Sequence, residues 1–393
     1  MHRIRDTFKR DLLSTIFVGV FLAATSPFFG VIARRQFSAS PFHLSIISSS
    51  AGIGQIFTFY WGYIIRSKRD KLKMVVIPGA LARGVFLFTP LASSITVFLL
   101  LILVYQVISY ISTPAYVEVI KFMYPDMVRA RLMGIVRMVN NLVVITVTPV
   151  AGHLISSIGF KWTFFLGAIF GIISSLIFST IRIKQDYTAP TVPYIPIKSI
   201  LAIPLLDKKF GTYLAIFFMY GLGNWLSNPI YPIVLVDKLQ ATSLQVGFIS
   251  TISSSLSAIS YIFWGRFIDR DNPVHVLALV FLLDFLIPLG YLLASIKPMY
   301  LFVMLSAVVS GIANAGIDLG VMNAILRIAP STEIASYMAL HSTFVGIRGI
   351  LGPFLGATLY SFIGATGVFS INITTAILGG VLMYRFYKNL TTI

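Results

Sequence analysis

Apolar runs of spanning length dominate this chain, set apart by short charged stretches or by proline and glycine. In the first half they fall at about 12–33, 43–65, 74–94, 97–123, 132–157 and 162–181. Six more follow at about 210–236, 244–267, 274–295, 299–327, 333–362 and 366–386. A helix needs about 20 apolar residues to cross a bilayer core, so these runs, numbered here as segments 1 to 12, predict twelve transmembrane helices. Hydrocarbon offers backbone groups no water, so they must be paired inside each helix. The fold class expected is an all-α membrane protein.

The two halves repeat at an offset near 203 residues. Thr25-Ser26-Pro27 matches Ser227-Asn228-Pro229, Trp61-Gly62 matches Trp264-Gly265, Pro125 matches Pro330, and Pro149-Val-Ala-Gly152 matches Pro353-Phe-Leu-Gly356. An even number of helices per half makes the repeats parallel about an axis along the membrane normal. Two pseudo-symmetric six-helix bundles are therefore expected, over 1–181 and 210–393. The stretch between them, 182–209, carries Pro190, Pro193, Pro196 and Pro204 and several charges, and reads as a cytoplasmic linker. Its end, Lys198 to Lys209, reads either as extended chain or as a surface-lying segment.

Composition sharpens this picture. Hydrophobic residues make up 57% and charged ones 11%, against roughly 25% charged in soluble domains. A net charge of +17 would suggest nucleic acid in a soluble protein, but here it reads as loop charge that sets topology. With both termini inside, 22 of the 30 lysines and arginines fall on the inner side, 5 on the outer and 3 within segments. A cell-membrane protein with both termini cytoplasmic is expected, with no nucleic-acid partner. Cysteine is absent, which removes disulfides and thiolate metal sites. The basic start and following apolar run do not read as a cleaved signal, because the run continues to Ala33.

Local motifs give the repeat a family. Gly265-Arg-Phe-Ile-Asp269-Arg270 after segment 8 is similar to the Gly-x-x-x-Asp-Arg loop of the major facilitator superfamily, and Gly352-Pro353-Phe-Leu-Gly356 resembles its Gly-Pro-x-x-Gly motif. The first-half counterparts are eroded: Gly62-Tyr-Ile-Ile-Arg66 puts arginine in the aspartate slot, and segment 5 keeps only Thr148-Pro149-Val-Ala-Gly152. The resemblance implies a secondary transporter fold, a gating role for Asp269, and a central cavity lined by segments 1, 4, 7 and 10. The subfamily stays open.

An ionised group at mid-bilayer costs about 3 kcal/mol on insertion scales and marks a functional candidate. Six such groups stand here: Arg83, Glu118, Arg137, Asp284, Asp318 and Arg348. Asp318, one turn after Asn314, is the first candidate for proton coupling, and a static pair with Arg348 is the competing reading. Glu118 and Arg137 are expected to form a salt bridge, structural or gating. Arg83 and Asp284 hold matching positions in segments 3 and 9 and read as packing or snorkelling groups. Tyr220, Asn224, Asn228 and Tyr231 follow helical spacing and predict a polar cavity wall beside Trp225, with interhelical hydrogen bonding as the alternative. Asn141 joins Arg137 on a polar face of segment 5. His341 aligns with Arg348 and reads as a proton relay or as a hydrogen-bonded interfacial histidine.

No phosphate-binding loop, zinc-protease motif or nucleophile elbow occurs, and His153 and His341, in different halves, lack acidic neighbours at ligand spacing. No cofactor, metal or enzymatic activity is expected. The function expected is secondary active transport of a small organic solute by alternating access, coupled to protons and carried out by a monomer in the lipid bilayer. A membrane-embedded lipid-handling protein or enzyme, and a non-transporting solute sensor, are the alternatives.

Overall fold

The computed structural model describes residues 2–66, 70–181, 197–330 and 333–391, nearly all of them helical. Segment 1 is α1 (His2–Thr25), a 3-10 turn at Ser26–Phe28 and α2 (Phe29–Phe37). Segment 2 is α3 (Pro41–Arg66), and segment 3 is α4 (Lys71–Gly84) with a 3-10 turn at Val85–Leu91. Segments 4 to 6 are α5 (Ile95–Met123), α6 (Asp126–Ser157) and α7 (Phe160–Ser179). A short α8 (Ile197–Leu206) precedes segment 7, which is α9 (Lys208–Ser227), α10 (Tyr231–Ile233) and a π turn at Val234–Lys238. Then come α11 (Ser243–Arg270), α12 (Pro273–Asp284) with α13 (Leu286–Ile296), α14 (Tyr300–Ile328) and α15 (Ile334–Thr391).

Among the described residues, nine helical stretches are long and apolar enough to cross a membrane. The last, Ser336–Leu390, has 55 residues and would run roughly 80 Å as one helix, more than twice a bilayer core. It divides at Gly364, whose φ of 66° suits a residue without Cβ. Segments 11 and 12 are thus separate helices, and every predicted segment has its helix.

The repeat seen in the sequence is a repeat of helix breaks. Segment 1 breaks after Thr25 and segment 7 after Ser227, in each case just before the matched proline. Segment 3 leaves regular α geometry after Gly84, before Pro90, and segment 9 after Asp284, before Pro288. Proline donates no N–H and crowds the preceding turn, so the ladder yields there. Thr89 Oγ1 closes the gap left by Pro90 by donating to Phe86 O (2.6 Å) and also reaches Lys161 O of α7 (3.0 Å), while Ser306 Oγ of α14 ties in α13 by donating to Ile287 O (3.1 Å).

Two compact units form. One comprises Met1–Ala39, Ile53–Thr191 and Thr242–Thr251; the other comprises Ser40–Gly52, Val192–Ala241 and Ile252–Ile393. The first has an aromatic core in which Phe86 meets Phe21, Phe29, Tyr105 and Phe164. The second centres on α9 against α12 and α15, with Phe210, Tyr213, Phe217, Tyr220 and Phe281 buried together. Of the expected linker, 182–196 lies outside the described residues. The remainder holds α8 and then Asp207, whose carboxylate caps α9 by accepting from the Lys209 and Phe210 N–H groups.

The Gly-Pro-x-x-Gly stretch does packing work. A Cβ on Gly356 would fall against the Leu226 carbonyl and one on Gly352 against Trp225, so α15 touches the backbone of α9. The loop motif after α11 differs from expectation. Asp269 is exposed and makes no hydrogen bond among the described residues, whereas its neighbour Asp271 takes the His275 ring nitrogen, the Asn272 N–H and the Tyr387 hydroxyl. Partial burial pushes the Asp271 carboxyl up, but those hydrogen bonds outweigh it and hold the group below the ordinary aspartate value. The side chains of Gly62 to Arg66, the first-half counterpart, lie outside the described residues.

Two measurements follow from this packing. Gly356→Ala should destabilise by about 1–3 kcal/mol, because the helices must part, while Gly134→Ala, with open space around it, should be neutral or slightly stabilising; thermal unfolding of the two variants checks this. Asp271, depressed in the folded state, stabilises above its unfolded value and loses that contribution as pH falls through the folded one. The Tm of the wild type should therefore fall below about pH 4, and Asp271→Asn should lower Tm at neutral pH while flattening that acid limb.

Candidate functional site

The second unit buries a polar network along α9. Helical spacing turns Tyr213, Phe217, Tyr220 and Asn224 toward α12 and α15. Asp284, the last residue of α12, is 3% exposed and accepts from the Tyr220 hydroxyl (2.9 Å) and from Asn224 Nδ2 (2.7 Å). Asn372 of α15 extends the chain, donating to Ser227 Oγ (3.0 Å) and Asn224 Oδ1 (3.4 Å). The ring of Tyr220 stacks on Phe281 at 3.6 Å between centroids, which fixes its hydroxyl toward the acid. Asp284 is therefore an interior hydrogen-bond hub at a helix break, not a packing or snorkelling group.

Arg348 enters the same bundle from α15 and is 7% exposed. Its Nη1 donates to Phe217 O (2.6 Å), and its guanidinium carbon lies 4.3 Å from the Phe217 ring centroid. Gly221 makes the room: a Cβ there would collide with the guanidinium. Arg348 has no carboxylate partner among the described residues, so the expected pair with Asp318 does not form. The reason is placement: Arg348 points into α9, whereas Asp318 lies on the exposed face of α14. His341, two turns before Arg348, packs 4.6 Å from the Phe217 ring, and its Nε2 is buried without a hydrogen bond among the described residues. It is thus a packed aromatic neighbour of the network rather than a hydrogen-bonded link in it.

A second polar strip runs along α14. Ser310, Asn314 and Asp318 recur every four residues and so share one face. Asn314 Nδ2 donates to Ser310 Oγ (3.2 Å), Ser253 Oγ of α11 donates to Ser310 Oγ (3.4 Å), and the Tyr261 hydroxyl of α11 donates to Asp318 (2.7 Å). Asn314 and Asp318 are both exposed, and a charged group pays too much facing lipid for this strip to be a lipid face.

The wall predicted on segment 7 divides. Tyr220 and Asn224 turn inward to Asp284, while the helix ends at Ser227, and Asn228 lies in the break, accepting from Ser48 Oγ (3.2 Å). Tyr231 lies beyond the break, packed on Tyr291 and Phe369. Trp225 seats against Gly349 and Gly352 of α15. Pro229 and Pro232 were the sequence signal for this division.

In the first unit, Glu118 pairs with Lys71 (3.1 Å), not with Arg137. Lys71 opens α4, which packs along α5 and brings its buried ammonium to Glu118, whereas Arg137 is on the exposed side of α6 with no hydrogen bond or ion pair among the described residues. Asn141 is half-buried and also makes no hydrogen bond among the described residues. Arg83 reaches inward, its Nη1 donating to Gly171 O (3.2 Å), Ser174 Oγ (3.4 Å) and Ser175 Oγ (2.8 Å).

The family model of the Major Facilitator Superfamily matches residues 12–205 and 213–391, nearly the whole chain. The chain belongs to the Major Facilitator Superfamily. Its fold is similar to solved structures of that kind. A mutant form of the nucleoside transporter NupG superposes with a TM-score of 0.77 at 15% identity, covering 97% of this chain and 98% of the other. Another structure of the nucleoside transporter NupG gives 0.66 at 16% identity over 98% of each chain. A D-xylose-proton symporter gives 0.71 at 12% identity over 98% of each chain. As a Major Facilitator Superfamily member the protein is a multi-pass membrane protein, and the acid hub and the α14 strip are polar centres within the helices of its second unit.

The hub can be tested as a network. Leaving a buried acceptor short of donors costs about 1–3 kcal/mol, so Tyr220→Phe and Asn224→Leu should each destabilise by that amount. In an Asp284→Leu background both effects should shrink toward zero, a coupling that thermal unfolding of the single and double variants reads out.

Proposed function

We propose that this protein is a secondary transporter that carries a small hydroxyl-bearing organic solute across the cell membrane by alternating access, coupled to protons, with both termini in the cytoplasm. The observation that carries the coupling is the bonding of Asp318. Its hydrogen-bond partner is the neutral Tyr261 hydroxyl, and it stands exposed on α14. An acid held by a neutral donor takes up and releases a proton without breaking an ion pair, and an accessible one can do so with the aqueous phase. Asp284, closed in by Tyr220 and Asn224, holds the helix break in place and is not the exchanging group.

The solute class rests on the α14 strip. Ser253, Tyr261, Ser310 and Asn314 offer paired donors and acceptors around a single acid, an arrangement that suits hydroxyl and amide groups better than a strongly charged ligand. The similar structures are a nucleoside transporter and a D-xylose-proton symporter, and nucleosides and D-xylose are both hydroxyl-rich. The charge bias of the loops supports the orientation, and the absence of a nucleotide-hydrolysing motif leaves an ion gradient as the energy source.

Uptake into proteoliposomes tests the reading. With a panel of nucleosides and pentoses and an imposed proton gradient, at least one solute should accumulate above equilibrium. Asp318→Asn should abolish accumulation while leaving gradient-free solute exchange in place. Accumulation that survives collapse of the proton gradient, or an unchanged Asp318→Asn variant, removes the coupling claim.

A further inference from the structure

A cavity of about 260 Å³ lies inside the first unit, lined by α1, α4, α5 and α7. Two charges of opposite sign face it without an ion pair between them among the described residues, Asp11 buried and Arg83 half-buried. Asp11 of α1 is 1% exposed, and one of its carboxylate oxygens accepts from the Tyr124 hydroxyl (2.6 Å) while the other makes no hydrogen bond among the described residues. Arg83 of α4 spends only Nη1 on protein acceptors; its Nε and Nη2 make no hydrogen bond among the described residues. Ser14 and Ser174 lie between the two charges, bonded to each other at 3.0 Å, with Ser174 also reached by Arg83. Ser14 stands one turn after Asp11 on α1, and Asp11 and Arg83 make no ion pair with each other among the described residues. The remaining walls include Val18, Val75, Val76 and Phe178.

Such an arrangement is unfavourable when left alone. Two charges taken out of water and held too far apart to neutralise each other lose solvation without regaining it as an ion pair. A lone anion entering would gain from Arg83 but be repelled by Asp11, and a lone cation the reverse. A net-neutral molecule with separated charges meets both, and the valine and phenylalanine walls accept a short carbon chain between them.

We propose that this cavity is a binding site for a small zwitterion, an amino acid with its ammonium on Asp11 and its carboxylate on Arg83. The site lies within one unit and does not depend on the α14 strip, so it stands or falls separately from the transport reading. Bidentate geometry suits the guanidinium to a carboxylate, and the free Asp11 oxygen to an ammonium N–H.

Thermal unfolding of the full-length protein in detergent tests it, with glycine, β-alanine and 4-aminobutanoate as probes and acetate and ethylammonium as half-ligands. At least one zwitterion at millimolar concentration should raise Tm by an increment that grows with concentration, while neither half-ligand does. Asp11→Asn and Arg83→Gln should each weaken the response about tenfold or more, the loss expected of one charged hydrogen-bond partner. Val18→Phe keeps both charges and fills the cavity, so it should also abolish the shift and serves if the charge variants misfold. No shift with any zwitterion would show a water-filled cavity and overturn the proposal. An equal shift from acetate or ethylammonium alone, or a shift retained in Val18→Phe, would overturn it as well.

Discussion

Hydrocarbon gives an ionisable or unpaired polar group nothing to bond to, and this one constraint arranges the interior of the chain. Each buried charge in a spanning helix costs about 3 kcal/mol or more if left bare, so it reaches for donors, acceptors or ring faces inside its own unit. Asp284 takes a phenol and an amide, Arg348 takes a backbone carbonyl and the face of Phe217, and Arg83 takes two serines and a carbonyl. None of these three has an oppositely charged partner among the described residues. Neutral partners hold a charge in place without cancelling it.

The same constraint explains where the helices break. A proline removes a backbone donor, and a broken helix exposes carbonyls that must be satisfied. Arg83 and Asp284 stand at matching breaks, the ends of α4 and α12, and the Thr89 hydroxyl closes the carbonyl of Phe86 that Pro90 frees. The equivalence is of backbone shape more than of chemistry: one half places a cation at this joint and the other an anion. Within a repeated frame each half has its own polar interior, a cavity faced by Asp11 and Arg83 in the first and a closed acid hub in the second.

Apolar length and proline or glycine position are local properties, so the helices and the repeat are legible in the sequence. Partners are not. Spacing along one helix says which residues share a face but not which helix that face meets, and so Glu118 was matched to Arg137 when α4 brings Lys71 to it. Arg348 was matched to Asp318 by proximity of segments, yet its side chain turns to α9 through the space Gly221 leaves. Asn372, a polar residue in the middle of an apolar segment, is the sequence signal for the far end of the hub, and Asp11 stands in a basic N-terminal stretch whose charge resembles topology charge. Helical spacing puts Asn228 and Tyr231 on one wall with Tyr220, but Pro229 and Pro232 interrupt the helix there.

The account rests on an accessible acid with a neutral partner serving as the proton carrier. Its most direct measurement is the pH outside proteoliposomes when a transported solute is added with no gradient imposed. Coupled entry through Asp318 predicts alkalinisation of the medium that follows solute influx and disappears in Asp318→Asn. Solute influx with no change in external pH would contradict it.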